Sequence, residues 1–231
     1  MSAEKNMRRA ILDDLKRALG PDDGVRRQAV ADRLSAKARH LTPKRGQLEG
    51  TARIDWFQSE AERVNATVQR VNSIDAVPQA IADYLAAQNM PASIRMTPDP
   101  RLKTPAWNKT ALSISEGPAT GDDTAGVSHA FAGVAETGTL VFTSGPDSPN
   151  TVNYLPPAHI AVIRAADIEG CYEDAWAKLR SMRAGTEASG GFMPRTVNWI
   201  TGPSRTADIE LTLFLGIHGP KNLHIIVIED D

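Results

Sequence analysis

The chain has 231 residues, enough for one α/β domain with its own core, or for such a domain plus a helical extension, and too few for two large domains. Hydrophobic residues make up 41% and charged residues 23%, with a net charge of −2, so no global field marks a nucleic-acid or membrane partner. Cys171 is the single cysteine, which excludes an internal disulfide and any iron–sulfur cluster or cysteine-held zinc built from this chain alone.

Residues 1–72 read as a helical segment. The predicted helices are 4–19, closed by Gly20-Pro21, then 24–40, closed before Pro43, then 51–72. In the third, Ile54, Phe57, Ala61, Val64, Val68 and Val71 recur at spacings of three and four, which gives one packing face. The segment carries fifteen Lys/Arg against ten Asp/Glu, a net +5 that leaves −7 for residues 73–231. Its charges alternate in sign, the pattern of solvated helix faces rather than of a nucleic-acid-binding arm. No apolar run reaches the roughly 18 to 20 residues that span a bilayer, and MSAEKNMRRAILDDLKRALG carries charges where a signal peptide needs an apolar core. A cytoplasmic chain is the expectation.

Residues 73–231 form the expected α/β domain. A helix at 77–88 leads into a strand at 92–96, and a proline-rich excursion over 98–123 holds a strand at 111–115. From Ala125 short apolar runs alternate with helical stretches: strand GVSHA, short helix FAGVAE, strands TLVFT and HIAVIRA, then helix DIEGCYEDAWAKLRSM. After the loop RAGTEASGGFMPR come strand TVNWIT, the segment TADIELTLFL and strand LHIIVIE. This rhythm predicts a mainly parallel sheet with helices on its faces. TADIELTLFL reads two ways. Ile209, Leu211, Leu213 and Leu215 alternate as a strand does, whereas Asp208 and Glu210 suit the acidic first turn of a helix.

Five Gly-Pro pairs occur, where 17 glycines and 15 prolines placed at random would give about one. Two of them echo each other: LVFTSGPDSPN and NWITGPSRTAD each end an apolar strand with a hydroxyl residue, Gly-Pro and two polar residues. Ligands of open parallel sheets sit outside the C-terminal strand ends. Ser144 and Gly145 are therefore expected to face Gly202, Pro203, Ser204, Arg205 and Thr206 across one pocket. Ser204 or Thr206 can cap a following helix, Arg205 can neutralise a phosphate or carboxylate, and free N–H groups at a helix start attract anions. Asp208 is counted with this ligand-binding set, although it competes for the same field. A capped helix with a surface arginine is the alternative reading.

Glu136 is the candidate catalytic residue, a nucleophile or general base, with Thr137, Gly138 and Thr139 beside it as ligand contacts; a carboxylate that merely ends a helix is the other reading. His218, between Gly216 and Gly219, is either a ligand contact or a loop histidine bonded to backbone. His129, His159, His218 and His224 lack metal-ligand spacing, so no metal site is expected. There is no Walker sequence and no GxGxxG.

Taken in order, ETGTLVFTSGPDSPN, YLPPAHIAVI, ITGPSRTADIELTLFLGIHGP and LHIIVIEDD resemble the lactate utilization protein C family, whose core is called the LUD domain. The likeness is close from about Ala125 to Asp231 and vaguer back to about Thr51. It implies a three-layer Rossmann-like α/β sandwich with a mainly parallel sheet, as in the sugar-phosphate isomerase and CoA-transferase superfamily, preceded by N-terminal helices. It favours a helix over residues 206–215. It further implies a part in oxidising L-lactate to pyruvate beside iron–sulfur partner proteins, with the clusters on those partners and no cofactor on this chain. CoA-transferases use a Glu before a glycine; by that loose analogy Glu136 and Gly138 are a relic or a working site, in a different flanking pattern.

Three functions stand open. One is a cytoplasmic accessory component that binds a small anionic ligand or an acidic partner segment at the paired Gly-Pro turns. Another is a stand-alone enzyme of acyl-CoA or sugar-phosphate chemistry, with Glu136 as nucleophile or base and Arg205 as anion clamp. The third is a pure protein-interaction module, in which the N-terminal helices hold the partner and the pocket is vestigial. Homo-oligomers fit each of them.

Overall fold

The computed structural model describes residues 2–20, 24–36, 39, 41–103, 105–183, 193–206 and 214–229. The chain divides into two compact units, Met1–Leu41 and Thr42–Asp231. In the first unit, α1 (Ser2–Leu19) ends at Gly20, whose φ of 71° is the left-handed geometry glycine supplies at a helix C-terminus. Then comes α2 (Val25–Ala36). Met7, Ile11, Leu15 and Leu19 repeat every four residues along α1 and remain exposed. Among the described residues no helix is long and apolar enough to cross a membrane.

In the second unit, α3 (Gly50–Arg63) stops short of its predicted end. Asn65 turns the chain with a φ of 69°, and residues expected as helix become strand β1 (Thr67–Val71). Asparagine tolerates the left-handed region, and Thr67, Val68 and Val71 are β-branched, so pairing with the last strand prevails over the helical spacing. The succession continues through α4 (Val77–Ala87), β2 (Ser93–Met96), β3 (Ser113–Glu116), β4 (Ala125–His129), β5 (Ala132–Val134) and β6 (Thr139–Thr143). Then follow α5 (Thr151–Tyr154), β7 (Ala158–Arg164), β8 (Ile168–Glu169), α6 (Tyr172–Arg183), β9 (Val197–Ile200), β10 (Arg205–Thr206), β11 (Phe214–Leu215) and β12 (Asn222–Ile228).

Two further expectations change. FAGVAE is not helical: its Ala132, Gly133 and Val134 are wholly buried as β5. A Cβ on Gly133 would press within 3.0 Å of Ile163 and 3.1 Å of Phe57, a contact that suits a strand between layers. The helix expected at 206–215 is replaced at both described ends by strand, with Arg205 opposite Leu215 and Thr206 opposite Phe214 in an antiparallel pair. Residues 207–213, Asp208 included, lie outside the described residues.

The central sheet has the order β1-β12-β7-β4-β2-β3, and every pair in it is parallel. Apart from Ser128 and three buried histidines, its middle strands are mostly apolar on both faces, as burial between two layers requires. In β7, Ala158, Ile160 and Val162 pack with α4, while Ala161 and Ile163 pack with α3 and β6 on the opposite face. In β12 the same division separates Ile226 and Ile228 from Leu223, Ile225 and Val227. The second face is covered by α3 together with a smaller sheet, β8-β5-β6-β9, on whose outer side α6 packs Ala175 and Leu179. This is a three-layer α/β fold, with a mixed sheet filling part of one layer.

Candidate functional site

The strands β6 and β9 run antiparallel, with Leu140 opposite Ile200 and Thr143 opposite Val197. The two echoing Gly-Pro turns therefore leave opposite ends of one ladder. At one end the Ser144 amide donates to Thr196 O at 3.0 Å. At the other the hydroxyls of Thr139 and Thr201 meet at 2.7 Å. Four residues at about 3.3 Å each place the turns roughly 13 Å apart. Ser144 and Gly145 thus do not face Gly202, Pro203, Ser204, Arg205 and Thr206 across a pocket, because an antiparallel neighbour reverses the end at which a strand delivers its turn.

The turn after β9 does border a cavity, of about 260 Å³. Residues 199–205 and 218–220 wall it, and Asn153, His159 and Leu223 lie beneath. His159 and Leu223 are the second residues of β7 and β12, so the cavity sits at the N-terminal edge of the parallel sheet. The crevice at the C-terminal strand ends, expected for open parallel sheets, is on the other side. The reason is the same reversal: the turn belongs to the mixed sheet.

Each wall residue is fixed by its neighbours. Gly202 has a φ of 73°, and a Cβ there would lie 2.4 Å from Val64 O. The Ser204 amide donates to Pro220 O at 2.9 Å, Ser204 O accepts from the Gly216 amide at 3.0 Å, and its hydroxyl oxygen accepts from the His218 amide at 3.2 Å. Ser204 ties the turn to residues 216–220 instead of capping a helix. Arg205 is exposed at the mouth with no ion pair among the described residues, and His218 is exposed beside it.

The two polar side chains beneath are absent from the sequence-derived set. Asn153 is 1% exposed, and neither its Nδ2 nor its Oδ1 has a hydrogen-bond partner among the described residues. His159 is equally buried; its Nε2 lies 2.7 Å from Ser128 Oγ and its Nδ1 has no partner among the described residues. Burial pushes the His159 imidazole down to about 3, so the ring is neutral at physiological pH. Buried polar atoms left unpaired cost about 1 to 3 kcal/mol each; Thr97, His129 and His224 also hold such atoms, and what distinguishes Asn153 and His159 is that they line the cavity. The one sequence signal was position: Asn153 directly precedes YLPPAHIAVI, and His159 lies inside it.

Glu136 stands apart from this cavity. It is 8% exposed, its carboxylate accepts from Arg45 Nη2 at 3.0 Å, and its amide donates to Gly170 O at 3.1 Å. It is not a lining residue. Gly138, with a φ of 63°, backs onto α3 so closely that a Cβ would lie 2.3 Å from the Ala61 nitrogen. The hydroxyls of Thr137 and Thr139 join Tyr172 and Thr201 in a network with oxygen separations of 2.7 to 3.1 Å. Thr137, Gly138 and Thr139 are engaged in packing and internal hydrogen bonds. Among the described residues no group of three or more His, Cys, Asp or Glu is placed to hold a metal ion.

Residues 122–228 match the profile of the LUD domain. Over 107 residues the chain is 38% identical to an uncharacterized protein of Neisseria meningitidis serogroup B, a match covering 46% of this chain and 43% of that protein. It is 36% identical over 105 residues to lactate utilization protein C of Bacillus licheniformis, covering 46% of this chain and 42% of the relative. For lactate utilization protein C of Bacillus subtilis the identity is 34% over the same length and shares. The match thus spans less than half the length of these curated relatives. A crystal structure of a DUF162 family protein from Deinococcus radiodurans superposes with a TM-score of 0.57 at 20% identity, covering 78% of this chain and 99% of that chain. That likeness extends the agreement of fold beyond the matched span. Asn153, His159, the turn at 201–205 and His218 all fall within residues 122–228.

Proposed function

We propose, from the membership of residues 122–228 in the LUD domain family, that this chain is an accessory, ligand-binding component of an L-lactate utilization system. The observation that carries the ligand-binding half is the cavity beside β9, where Asn153 and His159 are buried with unpaired polar atoms and Arg205 stands at the mouth. A small anion held there meets a guanidinium, which binds carboxylates and phosphates with charge-assisted hydrogen bonds. The lactate half is supported by the relatives called lactate utilization protein C. In such a system the iron–sulfur clusters and the electrons belong to partner proteins. The single cysteine here is buried and donates to Asp174 Oδ2 at 3.1 Å, consistent with that division. A stand-alone enzyme using Glu136 has less support, because that carboxylate is paired with Arg45 outside the cavity.

Deleting the gene is expected to abolish growth on L-lactate and to spare growth on pyruvate. The wild-type gene should restore growth on lactate, and the Arg205→Ala variant should not. Normal growth of the deletion strain on lactate, with no second copy present, removes the lactate role. Full rescue by Arg205→Ala removes the cavity from it.

A further inference from the structure

The first unit has two helices and no core. Every described side chain of α1 and α2 is exposed, with Leu19 at 62%, Val30 at 42% and Leu34 at 71%. Chains of about 40 residues seldom build a sufficient core alone, and isolated helices of 18 and 12 residues are marginal in water. The pair therefore calls for a further element to cover its apolar side chains.

Between the helices lies a groove of about 1030 Å³. A third helix, taken as a cylinder about 10 Å across that rises about 1.5 Å per residue, fills that volume with roughly nine residues. Arg27, Val30, Ala31 and Leu34, at spacings of three and four, put one face of α2 on the groove, and Lys16, Arg17 and Leu19 come from the end of α1. Arg26 also lines it, and its Nη1 donates to Leu19 O at 2.8 Å, which sets that guanidinium where the two helices meet. Four cations thus share the groove with the apolar side chains, and no carboxylate lines it among the described residues. Asp14 pairs with Arg17 and offsets one of the four. Asp13 pairs with Arg9, and Asp32, about 200° round α2 from Val30, accepts from Gln28 Nε2 at 2.8 Å.

Charge decides between occupants. Residues 1–41 carry ten Lys/Arg against six Asp/Glu, a net +4. A second copy of the chain would bring the same cations to the groove, whereas a helix with an acidic polar face would neutralise them. We propose that α1 and α2 form a docking surface for an acidic amphipathic helix of a partner protein, its apolar face on Leu19, Val30 and Leu34 and its carboxylates beside Lys16, Arg26 and Arg27. The surface lies outside the LUD-matched residues 122–228, so partner attachment and ligand binding occupy separate parts of the chain.

The test is fluorescence anisotropy of the full chain with two synthetic helical peptides of roughly 18 residues, identical in a leucine face and carrying either glutamate or lysine on the other. The wild type should bind the glutamate peptide at least tenfold more tightly than the lysine peptide, and less tightly as salt is added. Leu34→Asp should weaken the glutamate peptide about tenfold. Lys16→Glu combined with Arg27→Glu should reverse the preference between the peptides. All three side chains are exposed, so these variants should keep the wild-type circular dichroism. Equal binding of the two peptides, or binding of neither, overturns the proposal. A wild-type dimer in sedimentation velocity that Leu34→Asp dissolves overturns it too, since the second copy is then the occupant. Tighter binding to phosphatidylserine vesicles than to the glutamate peptide does the same, since the surface then meets a membrane.

Discussion

Gly145 and Gly202 hold the same place in two echoing turns, and their surroundings make opposite demands. A Cβ at Gly145 meets nothing within 4 Å. At Gly202 the backbone is left-handed, with a φ of 73°, and the Cβ would fall 2.4 Å from the carbonyl oxygen of Val64 at the end of α3. A backbone carbonyl cannot swing aside as a long side chain can, so alanine there adds a steric displacement to a backbone cost of roughly 1 to 2 kcal/mol. Gly138 is in the same position against Ala61, at 2.3 Å. Gly202→Ala and Gly138→Ala should each lower the free energy of unfolding by about 3 kcal/mol, and Gly145→Ala should stay within about 0.5 kcal/mol of wild type. Urea denaturation of the three variants measures this, and equal effects at 145 and 202 would show the two turns to be equivalent after all.

Between elements, one buried hydroxyl joins β6, β9 and the start of α6. Thr139 Oγ1 lies 2.7 Å from Thr137 Oγ1, 3.1 Å from the Tyr172 hydroxyl and 2.7 Å from Thr201 Oγ1, with no exposure to solvent. Thr139→Val keeps the shape and leaves partners unsatisfied, for a loss of about 1 to 2 kcal/mol. In a double-mutant cycle with Thr201→Val the coupling should be about 1 kcal/mol, and strictly additive losses would mean that the pair does not interact. The elements themselves were largely legible. TLVFT, HIAVIRA and LHIIVIE are short apolar runs that form buried strands, TVNWIT forms a half-buried one, and α1, α4 and α6 follow helical signals. Residues 64–71 were not, because spacings of three and four also fit β-branched residues that end in a parallel strand. The direction of β9 was not legible either. It follows from pairing with β6, a contact between segments far apart in sequence, and it decided which candidates met. Gly202, Pro203, Ser204, Arg205 and His218 share the cavity; Ser144, Gly145 and Glu136 do not. Asn153 and His159 were missed because what marks them is an unpaired polar atom in a residue that also lines the cavity, and only the folded chain brings the two together; Thr97, His129 and His224 also hold unpaired atoms but do not line it.

At the scale of the whole second unit, three buried histidines set its response to acid. They lie on adjacent central strands: His224 on β12, His159 on β7 and His129 on β4. His224 stacks on Tyr84 with ring centroids 4.0 Å apart, and its Nδ1 lies 2.8 Å from Thr67 Oγ1. Burial pushes His159 down to about 3 and His224 to about 4. His129 is held at about 4 by burial first and the Arg101 charge second, against the opposing hydrogen bond to Ala130 O and the charges of Asp99 and Asp167. In an unfolded chain each titrates near 6.5. Between about 6.5 and 4 the unfolded state therefore binds protons that the folded state refuses. Stability is complete above that window, falls as pH drops through it by up to about 1.4 kcal/mol per pH unit for each imidazole, and levels off once the folded pKa is passed. Asp99 acts lower. Burial pushes its carboxyl up, but hydrogen bonds from Arg101 and its charge outweigh that and hold it below the usual carboxylate range, so its contribution persists until pH falls below about 4. The loss between pH 7 and 5 is thus a histidine effect, and it strikes the middle of the sheet from both faces, since His159 lies on the α3 side and His224 on the α4 side. Urea midpoints should fall steadily from pH 7 to 5, with tryptophan fluorescence and far-ultraviolet circular dichroism moving together. His224→Phe, which keeps the ring stack on Tyr84 and cannot titrate, should remove about a third of the slope. A midpoint independent of pH over that range, or a slope that His224→Phe leaves untouched, would mean that these imidazoles take up protons in the folded sheet as readily as in the open chain.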